Sequence, residues 1–117
     1  MAKRTIPGTM LDAERPVWQP LLDLIGVQLV EWFMWMFEIE LADGTRVHAY
    51  KHVSTRRYFH LGEDGRAFAY RSEARYAEIS PHEAIDEAFT GWEGLLPQPS
   101  DPEVVRAALR RARGACT

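Results

Sequence analysis

Cysteine is almost missing from the 117-residue chain: Cys116 stands alone. One thiol makes no internal disulfide and no thiolate zinc site, so a reducing compartment is the simplest setting. Long apolar runs are missing as well. The most apolar stretch, residues 27–37, is interrupted by Gln28 and Glu31 and is too short to cross a bilayer as a helix. Residues 1–8 are polar and basic with no apolar region behind them, and do not read as a signal peptide. These absences predict a cytoplasmic protein with no membrane partner. No glycine-rich phosphate loop links a strand to a helix, and there is no internal repeat or low-complexity tract. No motif calls for a cofactor or a metal. A net charge of −3 gives the chain as a whole no attraction for polyanions.

Aromatic residues are plentiful: four Trp, five Phe and four Tyr, in a chain that is 46% hydrophobic and 26% charged. That composition is globular, and the length suits one core. The chain reads as a flexible segment over 1–8, a single α+β domain over 9–114 and a tail over 115–117. Residues 9–26 have a helical pattern in one or two pieces. Trp18, Leu21, Leu22 and Ile25 share a face, Pro16 and Pro20 break or restart the helix, and Gly26 ends it. Residues 32–79 read as an antiparallel meander of four or five strands at 32–41, 45–52, 56–62, 66–71 and 75–79. Ala42-Asp43-Gly44 and Glu63-Asp64-Gly65 are three-residue hairpin loops closed by a left-handed glycine, and Val53-Ser54-Thr55 is a weaker candidate for the same length. Two capping signals follow. Ser80-Pro81-His82-Glu83 and Ser100-Asp101-Pro102-Glu103 each open an amphipathic helix, with a proline-containing linker over 95–99 between them. The expected fold is thus an open four- or five-stranded meander packed on one N-terminal and two C-terminal helices.

Three-residue loops set a register, and side chains alternate between the two faces of a sheet. On that register Phe37, Ala49, Phe59 and Ala69, with Ile39, Val47, Leu61 and Ala67, form the face that the helices cover. The other face carries Met36, Tyr50, Tyr58 and Tyr70 in one row and Glu38, His48, His60 and Phe68 in the next, with Trp32, Met34 and His52 beside them. An open sheet would then expose a large apolar patch. Tyr, Trp and Met are enriched at interfaces. The expected function is therefore a non-enzymatic binding module whose working face is Trp32, Met34, Met36, Tyr50, His52, Tyr58 and Tyr70. Its partner would be another protein or a second copy of the chain.

Two alternatives remain. Glu38, His48 and His60 fall side by side on neighbouring strands, where two imidazoles and a carboxylate could bind a small ligand or metal or act as an acid/base pair. Aromatics on a sheet flanked by Arg46, Arg56, Arg66 and Arg71 could instead stack single-stranded nucleic acid, although residues 76–103 carry no Lys or Arg.

Overall fold

The computed structural model describes residues 5–12, 15–94 and 101–115. In chain order the elements are β1 (Thr5–Leu11), α1 (Gln19–Ile25), α2 (Val27–Val30), β2 (Phe33–Leu41), β3 (Arg46–His52), β4 (Tyr58–Gly62), β5 (Ala67–Tyr70), β6 (Arg75–Ile79), α3 (Pro81–Ala88), a 3₁₀ turn (Trp92–Gly94) and α4 (Pro102–Ala115). The linker over 95–99, Ser100 and Cys116 lie outside the described residues.

The sheet is not an open meander. It is a closed barrel of six antiparallel strands in sequence order, because β1 pairs with β2 on one side and with β6 on the other. The strand that closes it was divided between a flexible segment and a helix in the sequence reading, and Pro7 and Gly8 are the reason. Both normally interrupt a strand. Here Pro7 contributes its carbonyl, which accepts the Ala42 N–H at 2.8 Å. Gly8 lies against the barrel interior. A β-carbon there would stand 2.8 Å from Ile39 Cγ2 and 2.9 Å from the Tyr76 ring, so only glycine lets β1 lie this close. Helix begins only at Gln19 and stops at Gly26, whose φ is +84°.

Closure creates two cores. Inside the barrel, Ile39, Leu41, Val47, Ala49, Phe68 and Tyr76 pack with Ile6 and Phe37. Outside it, a larger cluster joins Tyr50, Phe59, Leu61 and Ile79 of the wall to Leu21, Leu29, Ile85, Val105 and Leu109 of the four helices. Each such fully buried aliphatic or aromatic side chain contributes about 1.5–3 kcal/mol. The capping signals place the C-terminal helices: Ser80 Oγ accepts the Glu83 N–H at 3.1 Å, and Asp101 Oδ1 accepts the Glu103 N–H at 2.8 Å.

The register differs from the expected one at two places. Glu40 faces Arg46 and Glu38 faces His48, but a bulge between Trp35 and Phe37 then puts Trp35, not Met36, opposite Tyr50. The β3–β4 loop is one residue longer than expected. His52 N–H bonds to Arg57 O, and Arg56 takes the left-handed position with φ +65°. That single residue moves every β4 side chain to the opposite face. His48 pairs with Leu61, and His60 pairs with Ala49. His60 faces Phe68 as expected, but the expected Tyr58–Tyr70 neighbours do not pair, because the β4–β5 ladder ends at His60; on β6, Tyr70 faces Tyr76.

Candidate functional site

The two ends of the barrel differ. At one end Arg66 closes the lumen. Its guanidinium lies 5.2 Å from the Phe68 ring centroid and reaches Asp64 at 2.8 Å, Glu78 at 3.3 Å, Asp43 at 3.4 Å and Thr45 Oγ1 at 2.6 Å. Two hairpin turns and β6 are thereby tied over the interior.

The other end is open. A cavity of about 410 Å³ is lined by Gly8, Met10, Phe37, Tyr58, His60, Tyr70, Ala74 and Tyr76. None of these is a charged residue at neutral pH once His60 is neutral. Strand spacing adds a side opening. The ladder between β4 and β5 covers only His60–Phe68 and Leu61–Ala67, so Tyr58 and Phe59 separate from Ala69 and Tyr70. A second cavity of about 200 Å³ fills this gap and runs toward Ala84 and Glu87 of the α3 segment, with Arg57 at its edge. Tyr58, His60 and Tyr70 line both cavities.

His60 is the polar residue at their junction and is 5% exposed. Its ring stacks on Tyr58 (centroids 5.7 Å apart, planes at 15°) and meets Tyr76 edge-on at 5.3 Å. The fully enclosed side-chain atoms without a partner among the described residues are Trp32 Nε1 and His52 Nε2; the His60 imidazole is not one of them, and it lines both cavities while making ring contacts. Burial lowers its pKa to about 4, so the ring is neutral at physiological pH. Burial, and secondarily Tyr70, raises the Tyr76 phenol. The rim is strained as well as apolar. Glu73 and Ala74 both take positive φ, +53° and +58°, in the β5–β6 turn, and Ala74 N–H contacts Tyr70 Oη at 3.4 Å. Met10 is 65% exposed and Tyr70 50%, and Met34 reaches the same side through the cross-strand row Met34–Lys51–Tyr58. Met36 is half-exposed at the bulge beside Phe37.

The expected binding face is therefore divided. Tyr58 and Tyr70 meet at the open end. Trp32, Tyr50 and His52 are fully buried beneath the helices. Tyr50 Oη donates to Val17 O at 2.6 Å, and burial raises its phenol pKa. His52 Nδ1 accepts the Ser54 and Thr55 N–H groups, which shapes the β3–β4 loop, and burial lowers its pKa to about 4.

The expected polar row is also divided. Glu38 and His48 are neighbours, with Oε1 and Nε2 3.8 Å apart, but His60 lies on the other face of the wall. The third group at His48 is Glu63, whose Oε2 is 2.8 Å from His48 Nε2. Donor atoms of Glu38, His48 and Glu63 all lie within 4.8 Å of one another. The indole of Trp35 argues against a metal there. Trp35 Nε1–H can only donate, and it donates to His48 Nδ1 at 3.1 Å. The ring proton then belongs on Nε2, the atom that faces the carboxylates. A metal on Nε2 would need that proton on Nδ1, pointed at the indole N–H. The group is better described as an indole–imidazole–carboxylate chain.

Sequence reasoning missed Met10, Phe37, Gly8 and Ala74 as site residues because it missed β1 and the closure. Gly8 was the available signal, since an isolated glycine within an alternating apolar segment marks a close backbone approach. No family model, curated protein or solved structure matches this chain.

Proposed function

We propose that this protein is a binding protein for a small apolar molecule, taken up at the open end of the barrel. One observation carries the reading. An uncharged cavity opens where half-exposed Tyr58, Tyr70 and Met10 gather, while the opposite end is closed by Arg66. Barrel mouths are common ligand sites, and apolar walls with a few polar groups are the usual lining. Separation of His60 from Glu38 and His48 removes the basis for a joint acid/base role. Burial of the sheet aromatics in the wall leaves no open aromatic platform of the kind that stacks single-stranded bases.

Nile red, an uncharged dye that fluoresces in apolar surroundings, tests the reading. Saturable binding of one dye per chain is expected, weakened at least about tenfold by Tyr70→Glu, which puts a charge on the rim. Absence of saturable binding, or equal binding by the variant, rejects it. The same rim supports self-association as a second reading, since Met10, Met34, Met36, Tyr58 and Tyr70 are five of the seven large apolar residues that are exposed among those described. Light scattering would then report a dimer that Tyr70→Glu converts to monomer.

A further inference from the structure

Besides the hydroxyls of Tyr58, Tyr70 and Tyr76, the open-end cavity has one polar side chain, the uncharged imidazole of His60. We infer that its ligand is a neutral, flat aromatic molecule carrying a single hydrogen-bonding group, such as a phenol, with that group on His60; this rests on the small-molecule reading above.

Three observations select that class. First, no described residue lining the cavity carries a carboxylate, ammonium or guanidinium. A ligand ion placed there would lose hydration without gaining a counter-charge. Lys51, a cation beside the rim, already stands 5.7 Å from the Tyr58 ring centroid. Arg57 and Glu87 belong to the side slot and not to the open-end cavity.

Second, the walls are aromatic. Phe37, Tyr58, Tyr70 and Tyr76 surround the space, and Tyr58 contacts Phe37 at 6.1 Å while Tyr70 contacts Tyr76 at 5.5 Å. Rings that already pair by stacking and edge-to-face contact offer the same geometry to another flat ring. Met10 on the rim is flexible enough to fold against it.

Third, His60 is more than nine-tenths buried and its imidazole forms ring contacts only. A neutral imidazole holds one donor and one acceptor. His60 lines the cavity, so its donor and acceptor are within reach of a hydroxyl placed against the ring. A ligand lacking that group would cover the imidazole and leave its donor and acceptor unmet, so the site discriminates against plain hydrocarbons.

Four bicyclic probes of nearly equal shape test the inference by calorimetry at neutral pH: 1-naphthol, naphthalene, 1-naphthoate and 1-naphthylmethylammonium. Naphthol is expected to bind about tenfold or more tightly than the other three, the increment of one well-placed hydrogen bond. His60→Phe keeps a ring stacked on Tyr58 and is expected to bring naphthol down to the affinity that the same variant shows for naphthalene. Circular dichroism of the variant confirms its fold, and His60→Gln, which retains a donor and an acceptor, is expected to restore part of the preference. Naphthoate or the ammonium binding as well as naphthol overturns the neutral-ligand inference while leaving the binding site standing. Equal affinity of naphthol and naphthalene, or an unchanged preference in His60→Phe, overturns the role of His60. Failure of all four probes to bind removes the small-molecule site itself.

Discussion

Acid should weaken this fold well above the pH at which carboxylates protonate. His52 and His60 are both buried, and burial lowers each from an ordinary value of 6.5 to about 4. The folded-state value lies below the unfolded one, so the unfolded chain binds more protons between them. Stability is fully present above about pH 6.5, is lost as pH falls toward about 4, and loses nothing further from these groups below that. From about pH 7 to about pH 5 the linkage integral is about 1.8 kcal/mol for each histidine, or about 3.6 kcal/mol for both. That is a large fraction of the 5–15 kcal/mol typical of a domain. Asp43 and Asp64, held below the ordinary aspartate value of 3.8 by hydrogen bonds and the nearby Arg66, titrate below this window.

Urea melts at several pH values, extrapolated linearly, read the slope directly. Near pH 5 the wild type should lose about 2.4 kcal/mol per pH unit, close to the limit of two protons. His52→Asn retains an acceptor for the Ser54 and Thr55 N–H groups but gives up the ring contacts to Trp32, Phe33 and Phe89, whereas His60→Phe retains the stack on Tyr58; the slope, unlike the absolute stability, reports only the protons. Each variant should halve the slope, whatever its absolute stability. A wild-type slope equal to that of the double variant refutes the reasoning, because the two imidazoles would then not be held neutral by burial.

Two further substitutions probe the closure and the strained rim. Gly8→Val should destabilise the chain by about 2–3 kcal/mol in the same melts, since its side chain overpacks against Ile39 and Tyr76; a loss under about 0.5 kcal/mol would mean that β1 does not lie against the interior as described. Replacing Glu73-Ala74 by Asn-Gly should raise stability by about 1 kcal/mol, because both residues sit at positive φ in a two-residue turn that asparagine and glycine adopt without the usual penalty; a lower unfolding midpoint contradicts the turn geometry.

Legibility of the register depended on glycine. The turns at 42–44 and 63–65 each present an Asp-Gly pair, their glycines take φ of +90° and +91°, and the pairings they predict close to the turns, Glu40–Arg46, Glu38–His48 and His60–Phe68, are those observed. The β3–β4 loop has no glycine. Arg56 occupies the left-handed position that glycine would have marked, at φ +65°, so the loop was read one residue short. Because side chains alternate with a period of two, that error exchanged the faces of β4 while leaving β2 and β3 correctly paired near Glu38 and His48. The bulge at Met36 was hidden for a related reason: no proline or glycine marks it, and an extra residue in an unbroken apolar strand leaves no compositional trace.

The same logic explains which half of the site was visible. Tyr58, His60, Tyr70 and Tyr76 depend on relations within β4, β5 and β6, and those follow from the Asp-Gly turn at 63–65 and the alternation beyond it. Any grouping that crosses the β3–β4 loop was exposed to the one-residue error, and Glu38–His48–His60 crosses it. Glu63, the carboxylate that does meet His48, sits in a turn, where strand alternation assigns no face at all. Trp35 reaches His48 only because the bulge shifts it by one residue, so its hydrogen bond to His48 could not be foreseen. The open-end cavity was beyond reach until β1 was recognised as a strand. An open sheet with this sequence has an apolar face to cover; a closed barrel covers that face with its own curvature and leaves only the rim and the mouth to a ligand. Closure is thus the step that turns a broad open face into a cavity of about 410 Å³ at the barrel mouth, and it depends on Gly8 having no side chain.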